Sequence, residues 1–119
     1  MKLMEDMKTV IEVEEAAKVL KLLGDKTRLT MVALMEEDEC CVCEFVELFN
    51  MSQPSVSQHL RKLRDVGLVV EERRGQWIFF CVNRSHPAYP MVKSLLSHLP
   101  NQHNKLLELE QRGLRVCCE

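Results

Sequence analysis

Residues 51–82 constrain the fold most. They read MSQPSVSQHLRKLRDV, then GLVVEERRGQWIFFCV. Ser52 is a good N-cap, and Pro54 falls in the first turn, where its missing N–H costs nothing. Val56, Leu60, Leu63 and Val66 recur at helical spacing, so residues 54–66 are predicted to form one amphipathic helix, ended by Gly67. Residues 68–73 and 76–82 are two β-prone runs around Arg74–Gly75, the pattern of a two-stranded hairpin.

Upstream, residues 9–23 carry apolar Val13, Ala16, Ala17, Leu20 and Leu23 at helical spacing, and Gly24 stops them. Asp25 is placed to cap a second helix reaching Glu36, with Leu29, Met31, Val32, Leu34 and Met35 as its apolar side. The acidic run EEDE at 36–39 is a polar break. A short helix then fits residues 42–49, with Phe45, Val46, Leu48 and Phe49 inward. Beyond the hairpin, residues 88–99 and 101–112 are helical in pattern. Pro100 kinks or separates them and Gly113 ends the second, leaving a tail, LRVCCE, at 114–119. Helices around a reading helix, followed by a hairpin wing, make a mainly α fold: a winged helix-turn-helix. Its length of 119 residues is that of one domain. The core is modest for one chain, and a small helical protein often completes it by dimerising.

The formal net charge of −2 excludes coating nucleic acid by bulk charge, but the distribution is uneven. Residues 51–75 hold five Lys/Arg against three acids, whereas elsewhere acids outnumber bases 15 to 11. A recognition helix reads the major groove with residues near its N-terminus. The candidates are Gln53, Ser55, Ser57, Gln58, His59 and Arg61, with Lys62 beside them; Gln suits adenine edges and Arg suits guanine. Arg73, Arg74 and Gln76 would touch phosphates or the minor groove from the wing. The expected partner is double-stranded DNA. Glu5 and Asp6 fall where a signal peptide would need an apolar run, and no stretch approaches a membrane span, so a cytoplasmic protein is expected. Thiols stay reduced there, and the six cysteines read as ligands, redox sensors or core residues rather than a disulfide framework.

Taken together, LGDKTRL, CVCE, SQPSVSQHLRKLRDVGLV and RRGQWIFF resemble the ArsR/SmtB family of metal-responsive repressors, over roughly residues 16–82. The resemblance implies a homodimer packed through the N- and C-terminal helices. It implies binding to an imperfect inverted repeat in operator DNA, and release when the inducer binds. Cys41-Val42-Cys43 matches the family's CVC box, which takes arsenite or antimonite in one branch and cadmium or lead in another. Where the arsenic-type pattern often has a further cysteine this chain has Val46, and residues 1–39 lack the N-terminal cysteines of the cadmium type. Cys40, or the tail pair Cys117 and Cys118, is the candidate third ligand. The zinc-type set on the last helices is not matched by His86, His98, His103 and Glu108.

Thiolate is the ligand form, and a helix N-terminus is expected to lower a cysteine's pKa. At roughly 100° per residue, positions i and i+2 face apart on a regular helix. A shared ligand would therefore require the start of the 42–49 helix to unwind. Arsenite or antimonite is the leading inducer; cadmium, lead or zinc, or a thiol redox switch on the same scaffold, are the alternatives. An enzyme is not expected: the CxC box lacks a βαβ context, an acid/base partner and a substrate pocket. A plain interaction module using the Leu-rich end helices is the other competing class. Cys81, inside an apolar strand, reads as a small core residue.

Overall fold

The computed structural model describes residues 10–114. Among the described residues two helices precede a first short strand, two lie between it and the wing strands, and two follow the wing. α1 (Val13–Leu23) is followed by α2 (Lys26–Glu37), β1 (Cys40–Cys41), α3 (Val42–Phe49) and α4 (Gln53–Asp65). The wing strands are β2 (Val69–Arg74) and β3 (Trp77–Val82), and α5 (Tyr89–Leu96) and α6 (His103–Gln111) close the order. The architecture is the expected winged helix-turn-helix.

Local chemistry sets most boundaries. The Asp25 carboxylate accepts the Arg28 N–H at 3.0 Å and caps α2. Ser52 Oγ accepts the Ser55 N–H at 3.3 Å and caps α4, with Pro54 in the first turn. Asn50 takes the left-handed conformation (φ 53°) that lets the chain turn between α3 and α4. Gly75 (φ 63°) does the same at the wing tip, where L side chains are disfavoured.

Of the two arrangements open for residues 88–112, the structure has two separate helices, with α5 ending at Leu96, ahead of Pro100. The structure departs from expectation in two places. α1 starts at Val13, with Glu12 as its N-cap, rather than at residue 9. The second difference bears on function. The hairpin becomes a three-stranded antiparallel sheet of order β1-β3-β2, since Cys40 pairs with Phe80 and Cys41 with Phe79. The two vicinal cysteines are thus the outer strand of the wing sheet.

The core joins Met31, Val32, Leu34 and Met35 of α2 to Phe45 of α3, then to Val56, Leu60 and Leu63 of α4. Phe80 and Val82 of β3 and Val92 of α5 extend it. All three inward residues of α4 are at most 1% exposed, which pins the reading helix from beneath. Truncating one such Leu to Ala would cost about 2–5 kcal/mol. His86 is also buried: Nδ1 accepts the Ala88 N–H and Nε2 donates to the Val66 carbonyl, each at 2.9 Å. It is a strut between the end of α4 and the start of α5.

Candidate thiol site and nucleic-acid interface

Cys41 is the last residue of β1 and the N-cap of α3, with extended backbone (φ −112°, ψ 168°). Cys43 lies in the first turn of α3. Because Cys41 stands outside the helix, the i, i+2 divergence of a regular helix does not apply. The two Sγ atoms are 3.0 Å apart with α3 intact. The expectation that sharing a ligand requires unwinding of the helix start is therefore corrected: the thiols already converge.

A buried carboxylate fixes this arrangement. Glu44 is 0% exposed, and its Oε1 accepts the Cys41 N–H at 2.9 Å, forming a capping box with the Cys41 side chain. Burial pushes the Cys41 thiol up to about 12, and the adjoining Cys43 thiol pushes the same way. The helix N-terminus was expected to lower it; desolvation wins.

Cys40 does not join the pair. Successive strand residues point to opposite faces, and Cys40 is 0% exposed, within the core, its thiol donating to the Asp38 carbonyl at 3.4 Å. Cys81 is half-buried on β3. Cys117 and Cys118 lie outside the described residues. Among the described residues no cluster of three His, Cys, Asp or Glu side chains could hold a metal ion. The convergent thiols do fit a soft centre needing two protein sulfurs. They open on a cavity of about 380 Å³ lined by Val42, Val46, Gln53, Gln76, Trp77 and Ile78. The thiol site thus touches both the first residue of the reading helix and the start of the wing strand.

On α4, Gln53, Gln58, Arg61 and Lys62 are exposed, and Ser55 and Ser57 are half-buried. Arg61 and Lys62 form no ion pair among the described residues, and Arg64 is held by Glu71 at 3.2 Å. His59 is turned toward α2: its Nδ1 accepts from Arg28 Nη1 at 3.0 Å. Arg73 is exposed at the wing tip. Arg74 is engaged elsewhere: its Nη2 and Nη1 donate to Glu39 at 2.6 and 2.7 Å, and Nη2 also donates to Glu72 at 2.9 Å.

Sequence reading missed Glu44, Glu39, Arg28 and Trp77. Glu44 had a visible signal, since it stands three residues after an N-cap and before an apolar run. The other three depend on contacts distant in sequence and carried none.

Residues 25–70 match the family described as "Bacterial regulatory protein, arsR family". Among curated relatives, the arsenic resistance transcriptional regulator ArsR1 of Pseudomonas putida is 42% identical over 73 residues, covering 60% of this chain and 55% of that protein. The match therefore spans little more than half of that relative. ArsR2 of the same organism is 39% identical over 109 residues, covering 84% of this chain and 95% of that protein. Among solved structures, the transcriptional repressor BigR of Xylella fastidiosa has a TM-score of 0.63 at 31% identity, covering 81% of this chain and 95% of that one. The homodimeric winged helix-turn-helix DNA-binding domain of Mb0332 from Mycobacterium bovis has a TM-score of 0.59 at 25% identity, covering 71% and 74%. With ArsR2 matched along most of both chains and the arsR family model matched over residues 25–70, the chain belongs to the ArsR family: it is a winged helix-turn-helix transcriptional regulator that binds DNA, and not an enzyme.

Proposed function

We propose that this regulator is a metalloid-responsive repressor, acting in the cytoplasm as one domain over residues 1–119. It holds operator DNA as a homodimer and leaves it when arsenite or antimonite condenses on Cys41 and Cys43. The observation that carries this reading is the 3.0 Å approach of the two thiols at the mouth of a cavity between reading helix and wing. Relatives named for arsenic resistance support the inducer class.

The chemistry needs no prior thiolate. Arsenite is a neutral trihydroxide at neutral pH, and each thiol proton departs with one hydroxide as water, so two As–S bonds form and two waters leave. The third position is left to Cys117, Cys118 or hydroxide. A divalent cadmium, lead or zinc ion would want about four ligands, and the described residues bring two thiols together. Gln53, Ser55, Ser57, Gln58, Arg61 and Lys62 are assigned to the operator, with Arg73 on phosphates.

The test is a titration of the reduced protein on its upstream DNA with arsenite, antimonite, cadmium and zinc. Arsenite and antimonite should release the wild type, and Cys41→Ser and Cys43→Ser should each raise the midpoint at least about tenfold. Full response in both variants would overturn the site. The same 3.0 Å approach favours a thiol redox switch as second reading, in which a mild oxidant joins Cys41 to Cys43 and releases DNA without any metalloid.

A further inference from the structure

The cysteine strand and the wing tip are joined by one side chain. Arg74 is the last residue of β2, on the far side of the sheet from β1. Its guanidinium crosses the middle strand, 4.7 Å from the Phe79 ring centroid, and reaches Glu39, the residue before β1, with two short contacts. Phe79 is the strand partner of Cys41, and Trp77 is the strand partner of Arg74. The cavity at the thiols is lined by Gln76, Trp77 and Ile78. A group bonded to Cys41 and Cys43 therefore bears on the strand that Arg74 spans.

We propose that Arg74 is a positioning residue: its clasp on Glu39 sets the wing for DNA, and occupancy of Cys41 and Cys43 reaches the wing through this clasp. The proposal rests on the reading of these two cysteines as the inducer site. A bidentate arginine–carboxylate pair fixes a plane as well as a distance, so a small shift of β1 against β3 breaks it. Both partners are about one-third exposed, with side-chain exposures of 36% and 30%, and such a pair adds little to stability. Its consequence is geometric: it decides where Arg73 and Gln76 point. Inducer and operator then oppose each other across the sheet, and linkage requires that each weaken the other by the same factor.

The experiment measures coupling, the ratio of operator affinities without and with arsenite, in the wild type, Arg74→Ala, Arg74→Lys, Glu39→Gln and the Arg74→Ala/Glu39→Gln pair. Arsenite binding to DNA-free protein is followed separately by the fluorescence of Trp77, the sole tryptophan, at the cavity wall. The expected result is an arsenite midpoint within about twofold of wild type in every variant, with coupling reduced roughly fivefold or more. Arg74→Lys should behave like Arg74→Ala, and the double variant should lose no more than either single one. If Arg74 instead contacts phosphate, Arg74→Ala will weaken operator binding equally with and without arsenite. The salt slope will then fall by about one and Glu39→Gln will behave as wild type, which overturns the proposal and leaves the inducer site standing. A wild type that arsenite neither binds at Trp77 nor releases from DNA overturns both.

Discussion

Cys41 and Cys43 are neighbours 3.0 Å apart that meet solvent very differently. Cys43 is exposed, whereas Cys41 is 2% exposed with its thiol pushed up to about 12 by burial. Alkylation follows the thiolate fraction and access. With iodoacetamide near neutral pH, Cys43 should be modified at least about tenfold faster than Cys41 and Cys40. Fragment-ion mass spectrometry of the peptide carrying all three would check this; equal rates at Cys41 and Cys43 would contradict the geometry. On the proposed reading, the difference would also order the capture of a metalloid: Cys43 would make the first bond, and Cys41, held by the Glu44 capping box, would close the chelate.

At the scale of elements, α1, α2 and α4 meet at one cluster. Arg28 donates its Nε–H to the Leu22 carbonyl at 2.8 Å and Nη1–H to His59 Nδ1 at 3.0 Å, while Asp25 caps α2 and lies 3.9 Å from His59. Since arginine only donates, His59 carries its proton on Nε2. Burial lowers the His59 pKa below 6.5; Arg28 and Lys62 reinforce the shift and Asp25 opposes it. A base with a depressed folded pKa adds stability that is complete above its unfolded pKa and is lost as pH falls through the folded one. Acidification from about pH 7 to about pH 5 should therefore lower the wild-type Tm. His59→Asn, which keeps an acceptor but does not titrate, should flatten that slope; parallel slopes by calorimetry would refute the coupling. Asp25 carries the same sign, but its pKa lies below 3.8, outside this window. The bounds of α3 and the caps of α2 and α4 were legible because each rests on residues within one turn. β1 was not, because two residues among acids carry no strand pattern. Their partners Phe79 and Phe80 lie about forty positions on, and only the closed fold brings them together. The contact of His59 with Arg28 was hidden for the same reason, since nothing local told of it.

For the whole molecule, the decisive feature is an uncovered stripe on α1. Val19 and Leu23 face the core, yet Val13 is 84% and Leu20 49% exposed. Val13, Ala17 and Leu20 fall at i, i+4 and i+7, so they share one helix face, and all three are exposed. Val10 before this helix, and Leu107 and Leu114 on and after α6, add large apolar surface at the other end of the chain. The apolar pattern of α1 is thus divided between the protomer's own core and a second surface. A homodimer packed through the terminal helices would cover that surface. On the proposed operator reading it would also hold two copies of α4 about one helical turn, roughly 34 Å, apart, as an inverted repeat demands. Leu20→Glu places a charge on the stripe without touching the core. It should weaken dimerisation at least about tenfold in sedimentation experiments and cost operator affinity in step, with arsenite binding at Trp77 retained. Lys18→Glu, on the same helix but off the stripe, should change neither; a Leu20→Glu protein that stays dimeric would assign this face to some other use.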